Sequence, residues 1–250
     1  MSRVFVLALP LAAVLCLPAP ARAQRVNRCA ECHLANLPDV PAASFLSDWQ
    51  RSAHARRGVG CDKCHGGDPW TDHPTEAHRG VLNSSNARSL VHPANLTLTC
   101  GQCHRGNASA FAESRHQSLI DAGDVHAPTC ATCHGAMRAR TVTPSELEAR
   151  CAGCHPADSA LAGYPSVMRT SLERLDAARL RCDELSASVD RVRDDARRLT
   201  LKLAVSAAYY TLRDAVAAAH AFNVAGVDER VAAARKQIDA ISQSLATNQP

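Results

Sequence analysis

Five times the chain writes Cys-x-x-Cys-His, and nothing else in it restricts the possible folds as much. The motifs are Cys29-Ala30-Glu31-Cys32-His33, Cys61-Asp62-Lys63-Cys64-His65, Cys100-Gly101-Gln102-Cys103-His104, Cys130-Ala131-Thr132-Cys133-His134 and Cys151-Ala152-Gly153-Cys154-His155. They take up ten of the twelve cysteines. Two sulfurs three residues apart on one turn can each form a thioether to the same porphyrin, and the next residue then places an imidazole beneath the iron. Zinc ribbons combine Cys pairs two at a time, and five is an odd number of pairs. Neither zinc nor a disulfide framework explains a histidine after every pair, which chance would give roughly once in a few million. The motifs therefore read as five covalently attached haem c groups, bound through Cys29, Cys32, Cys61, Cys64, Cys100, Cys103, Cys130, Cys133, Cys151 and Cys154. His33, His65, His104, His134 and His155 are the proximal ligands in this reading.

Residues 1–23 carry a short basic head at Ser2-Arg3, an apolar run from Val4 to Leu17 and a small-residue site at Ala21-Arg22-Ala23. That is the pattern of a cleaved export signal, with the mature chain starting at Gln24; Cys16 lacks the preceding small residue of a lipidation site. The expected location is the periplasm, as a soluble protein. Over 24–158, Leu, Ile, Val and Phe make up 19 of 135 residues, or 14%, below the level at which a segment buries enough apolar surface to fold alone. Ten of the chain's 12 Gly and eight of its 13 Pro also lie there, so long helices are not expected. Five porphyrins would supply the missing core, with haem insertion and folding coupled as metal binding and folding are in small metallodomains. The net charge of +4 is too balanced for a nucleic-acid surface.

Residues 159–250 read as a different material. Past Pro165 there is one Gly (Gly226) and no Pro before Pro250. Met168, Leu172, Leu175, Ala178, Cys182, Leu185 and Val189 fall at helical spacing. So do Val205, Tyr209, Leu212, Val216 and His220, and then Val227, Val231, Ala234, Ile238, Ile241 and Leu245. With a break at Ser188–Asp190 and a turn at Asn223–Asp228, the expectation is an antiparallel helical hairpin plus a third helix. The fold class is mainly α: a loop-rich, haem-packed domain over 24–158 and a helical domain over 159–250. Cys182 reads as a small core residue.

Beyond the proximal five, the histidines are His54, His73, His78, His92, His116, His126 and His220. Ser52-Ala53-His54 with Gly58-Val59-Gly60 before Cys61-Asp62-Lys63-Cys64-His65-Gly66-Gly67 resembles the pattern of exported multihaem c-type cytochromes. Ala77-His78-Arg79-Gly80, His92-Pro93-Ala94-Asn95-Leu96, Phe111-Ala112-Glu113-Ser114-Arg115-His116 and Cys133-His134-Gly135 continue it. That group includes the small electron-transfer cytochromes of nitrogen metabolism and, more distantly, hydroxylamine oxidoreductase and cytochrome c nitrite reductase. The resemblance implies distal-ligand roles for His54, His78 and His116. His220 lies on an apolar stripe, where its ring is either a satisfied core histidine or is presented to an iron; the family's habit of drawing a ligand from a C-terminal helix favours the second. For the fifth distal position His92 is preferred to His73 and His126. Met137, where similar sequences often have His, reads as packing rather than as a ligand.

Bis-His iron offers no position for substrate, so the expected function is a periplasmic carrier. Its partners would be other redox proteins, such as a membrane quinol dehydrogenase, a reductase or a soluble cytochrome, met in transient contacts. The C-terminal helices could also hold a homodimer. The alternative is an oxidoreductase acting on a small nitrogen or sulfur compound at one five-coordinate haem. Against it, no motif replaces the proximal His by Lys, the mark of the nitrite reductase site, and Tyr209 and Tyr210 read as core or surface residues rather than as haem-modifying ones.

Overall fold

Short helices prevail wherever the sequence is poor in Leu, Ile, Val and Phe. The computed structural model describes residues 27–36 and 42–247, so the expected export signal and Cys16 lie outside the described residues. Among the described residues up to 152, no helix exceeds nine residues. They are α1 (Arg28–Asn36), α2 (Ala42–Gln50), α3 (Ala53–Arg56), α4 (Asp62–His65), α5 (Pro74–Ala77), α6 (Leu96–Gly101), α7 (Arg105–Ala112), α8 (Arg115–Asp121), α9 (Cys130–His134) and α10 (Pro144–Ala152). Among the described residues of this part only one small apolar cluster forms, from Phe111, Ile120 and Ala127, with Leu119 and Phe222 against it. No strand occurs among the described residues.

Three long helices follow: α11 (Tyr164–Val189), α12 (Asp195–His220) and α13 (Val224–Ala246). Their ends are written in side chains. Pro165 occupies the first turn of α11, where its missing N–H is no loss, and the Asp194 carboxylate accepts from Arg197 N at 2.7 Å to start α12. The turn expected at Asn223–Asp228 is shorter, because Asn223 itself caps α13, accepting from Gly226 N at 2.9 Å. Gly226 permits this close approach: a Cβ there would meet Asn223 Nδ2 at 2.8 Å.

The hairpin is antiparallel. Lys202 pairs with Asp190 at 2.7 Å, and the Tyr209 hydroxyl donates to Asp183. The core of the three helices contains Leu175, Cys182, Leu185, Val189, Val205, Leu212, Val227, Val231, Ile238 and Ile241. Each fully buried aliphatic side chain contributes about 1.5–3 kcal/mol relative to exposure. In α12 the buried stripe is Leu201, Val205, Ala208, Leu212, Ala215 and Ala218. Tyr209, Val216 and His220 lie at its edge, half-buried, so His220 is not a core histidine of the bundle. That edge faces the rest of the protein: α7 packs on α12, and α10 on α11. No helix among the described residues is long and apolar enough to cross a membrane.

Candidate haem-binding centre

Each Cys-x-x-Cys-His closes one helical turn. His65 N donates to Cys61 O at 2.9 Å, His104 N to Cys100 O at 2.9 Å and His155 N to Cys151 O at 2.8 Å. Residues three and four apart share a helix face, so both sulfurs and the imidazole of a motif are presented on one side.

Four of the five motif histidines face a second imidazole. His33 and His78 have ring centres 5.9 Å apart, His54 and His104 6.0 Å, His116 and His155 6.2 Å, and His134 and His220 6.0 Å. Two metal–nitrogen bonds of about 2.0 Å, with about 1.1 Å from each nitrogen to its ring centre, require about 6.2 Å. Each spacing therefore fits one iron held between two imidazoles. The first three pairs are tilted by 49°, 49° and 52°; the fourth is nearly parallel, at 13°.

The outer ring nitrogens agree with this assignment. His78 Nδ1 meets Pro74 O at 2.8 Å, His134 Nδ1 meets Arg140 O at 3.0 Å, and His220 Nδ1 meets Val216 O at 2.8 Å. A carbonyl only accepts, so each Nδ1 carries the proton and Nε2 keeps its lone pair for a metal. Burial, more than any neighbour, lowers the pKa of His54, His116 and His220, with the facing His104, His155 and His134 adding to it. Neutral imidazole is the form that binds iron.

His92 does not fit the role expected of it. Its Nδ1 accepts from Ala94 N at 3.3 Å, which places the ring proton on Nε2, the nitrogen a distal ligand would need free. Among the described residues it also faces no other ring. His65 is thus left without a facing imidazole among the described residues, although burial, and then nearby His33, lower its pKa. His73 and His126 are exposed and face no ring among the described residues either.

Several supports were not read from the sequence. Gly67, at φ +84°, lies so close to Ala77 O that a Cβ would stand 2.3 Å from it, and Asp68 N donates to the same carbonyl at 3.0 Å. This seats the second motif against α5 and, with it, His78. Arg140 is clamped by Glu146 through two bonds of 2.9 and 2.7 Å. Glu146 also accepts from Thr143 N at 3.0 Å while Glu146 N donates to Thr143 Oγ1 at 3.3 Å, a capping box that starts α10. The Thr-x-x-Glu pattern is the signal that could have found this box; its link to the carbonyl behind His134 is written in no local pattern.

The thiols place the motifs in order. Burial raises Cys61 to about 11, with Cys29 adding to it. Burial also raises Cys64, followed by Asp62 and then Cys103. The hydrogen bond from Cys100 lowers the pKa of Cys130, and burial, then Cys151, raises Cys133 to about 11. Each motif thus lies within electrostatic reach of the next along the chain. Beside the third, a cavity of about 590 Å³ is lined by Cys103, His104, Arg105, Arg179, Tyr209 and Arg213. Three guanidinium groups at its wall suit the carboxylates of a porphyrin. Tyr209 is bonded to Asp183 and Tyr210 lies under Arg213 at 4.8 Å.

Residues 17–66 match the family model described as cytochrome c554 and c-prime. The C-type polyheme cytochrome OmcC of Geobacter sulfurreducens is 26% identical over 112 residues, 42% of this chain and 14% of that protein. The C-type polyheme cytochrome OmcB of the same species is 31% identical over 117 residues, 43% of this chain and 13% of that protein. The chain is a relative of multihaem c-type cytochromes. Its matched part spans about one seventh of those much longer proteins. No solved structure matches it significantly. Covalently bound haem c is the cofactor these relatives support, and the thiol pairs, facing imidazoles and Nδ1 protonation all fit it.

Proposed function

We propose that this chain is an exported electron-transfer protein carrying five haem c groups, four of them held between two histidines. The observation that carries the reading is the set of four imidazole pairs at 5.9–6.2 Å. The chemistry supplied by such a group is one-electron exchange at an iron whose ligands stay in place. The protein's part is to keep them in place. Pro74 O, Arg140 O and Val216 O fix the tautomer and plane of His78, His134 and His220. The ordering of the motifs supports a continuous path along the chain, entered and left through transient contacts with other redox proteins. The basic head and apolar run within residues 1–23 support export to the periplasm.

One observation favours a second activity at a single position. His65 has no imidazole opposite it among the described residues, which supports an iron there with an exchangeable face and binding of a small nitrogen or sulfur compound. Electron paramagnetic resonance of the oxidised protein, with haem counted independently, tests both readings. Four low-spin centres and one high-spin centre per chain are expected. Five low-spin centres would remove the open position, and fewer than four would remove the four-pair assignment.

A further inference from the structure

Helix α12 ends in a Schellman motif. Phe222 N bonds Ala219 O at 3.0 Å and Asn223 N bonds Ala218 O at 3.0 Å, with Phe222 in the left-handed conformation at φ +56°. Glycine is the usual residue there, because a Cβ crowds the following carbonyl oxygen in that conformation. Phe222 is the one non-glycine residue at positive φ among the described residues. Its carbonyl is held by the Tyr164 hydroxyl, whose own pKa is raised by burial.

The ring explains why phenylalanine is kept at this cost. It sits 6.2 Å from Phe111 and 4.3 Å from the His116 imidazole, at 83° to it. His116 Nδ1 is buried with no hydrogen-bond partner. His78 and His220, two of its counterparts, have a carbonyl at that atom. Perpendicular rings at this distance place the edge of one on the face of the other, and an aromatic face is an acceptor for N–H.

We propose that Phe222 is the positioning residue of His116, its ring face receiving the Nδ1–H that no oxygen receives. The contact fixes the tautomer and plane of His116 in a dry setting. An aromatic face is a weaker acceptor than a carbonyl, so His116 is a weaker electron donor than His220. The centre held by His155 and His116 therefore has a higher reduction potential than the one held by His134 and His220, where both outer nitrogens bond carbonyls. One turn of chain thus carries a ligand of the fourth motif's pair and the support of the fifth's.

The inference rests on the four-pair reading, and the test separates the two. Holoprotein variants Phe222→Leu, Phe222→Tyr and Phe222→Gly are followed by electron paramagnetic resonance during redox titration. F222L is expected to shift one tilted-pair low-spin signal and leave the near-parallel one unchanged, while F222Y keeps the wild-type spectrum. F222G, which suits the left-handed position and preserves the helix end, admits water to Nδ1 and moves the potential of that single centre downward. Unchanged signals and potentials in F222L and F222G would reduce Phe222 to filler and overturn the proposal, as would a concerted shift of all four low-spin centres. If F222L does not load haem, F222G and F222Y decide alone. Failure of the four-pair reading itself would show in the wild type, as a second high-spin centre and fewer than four low-spin ones.

Discussion

The imidazoles of His134 and His220 face each other 6.0 Å apart and only 13° from parallel, while the other three facing pairs are tilted by about 50°. Parallel ligand planes split the iron d orbitals and give a rhombic low-spin spectrum; strongly tilted planes give a more anisotropic one. His220→Ala should therefore abolish one rhombic signal and raise a high-spin signal in its place, leaving the tilted-pair signals present. The same variant should leave the haem count unchanged, because attachment depends on Cys130 and Cys133.

His92→Ala should leave every spin state as it is. The lost bond to Ala94 N belongs to a capping interaction, so the expected cost is about 1 kcal/mol of stability, read from denaturant unfolding. A new high-spin signal in H92A would return His92 to the ligand set. His126→Ala should be silent in the same spectra.

Gly67→Ala should be far more damaging than its size suggests. The added methyl would stand 2.3 Å from a backbone oxygen at a left-handed position, and no flexible side chain can move to relieve it. The expected result is displacement of His78 and loss of the low-spin signal of the His33 centre, with the His134 centre retained.

Glu146 links pH to the site. The Arg140 guanidinium, and then the Thr143 bonds, hold its carboxyl far below the usual carboxylate range. Because the folded value lies below the unfolded one of about 4.3, the contribution is complete above that pH and fades only as pH falls through the depressed folded value. Glu146→Gln should therefore raise the pH of acid unfolding. In Soret-monitored titration the wild type should hold its spectrum to lower pH than the variant, and coincident curves would show that the clamp contributes nothing.

The legible parts of the sequence were those set by local rules. Thioether chemistry demands its cysteines and histidine within five residues, so the motifs stand out on the chain. Helical periodicity likewise marked α11 and α13 by their buried faces, and Leu185, Val189, Val231 and Ile238 are where the pattern put them. In α12 Val205 and Leu212 are buried as the pattern put them, but Tyr209, Val216 and His220 only border the core, because the small Ala208, Ala215 and Ala218 take the buried positions between them. Facing pairs such as His116 with His155 bring together distant segments, which spacing does not encode; only resemblance pointed to His54, His78 and His116. The tautomer that removes His92 depends on one backbone N–H, and Phe222 sits where turn chemistry would have asked for glycine.

The four ring pairings also interleave along the chain. The span from His33 to His78 overlaps that from His54 to His104, and the span from His116 to His155 overlaps that from His134 to His220. With iron between the rings, these spans become two sets of interlocked cross-links in a segment too poor in aliphatic residues to condense by itself. Closing one loop shortens the search for the other, since loop-closure entropy depends on the chain left free. The last link waits for His220, which lies beyond all five cysteine motifs, so the His134 centre is the one whose closure ties the C-terminal helices to the haem-bearing segment.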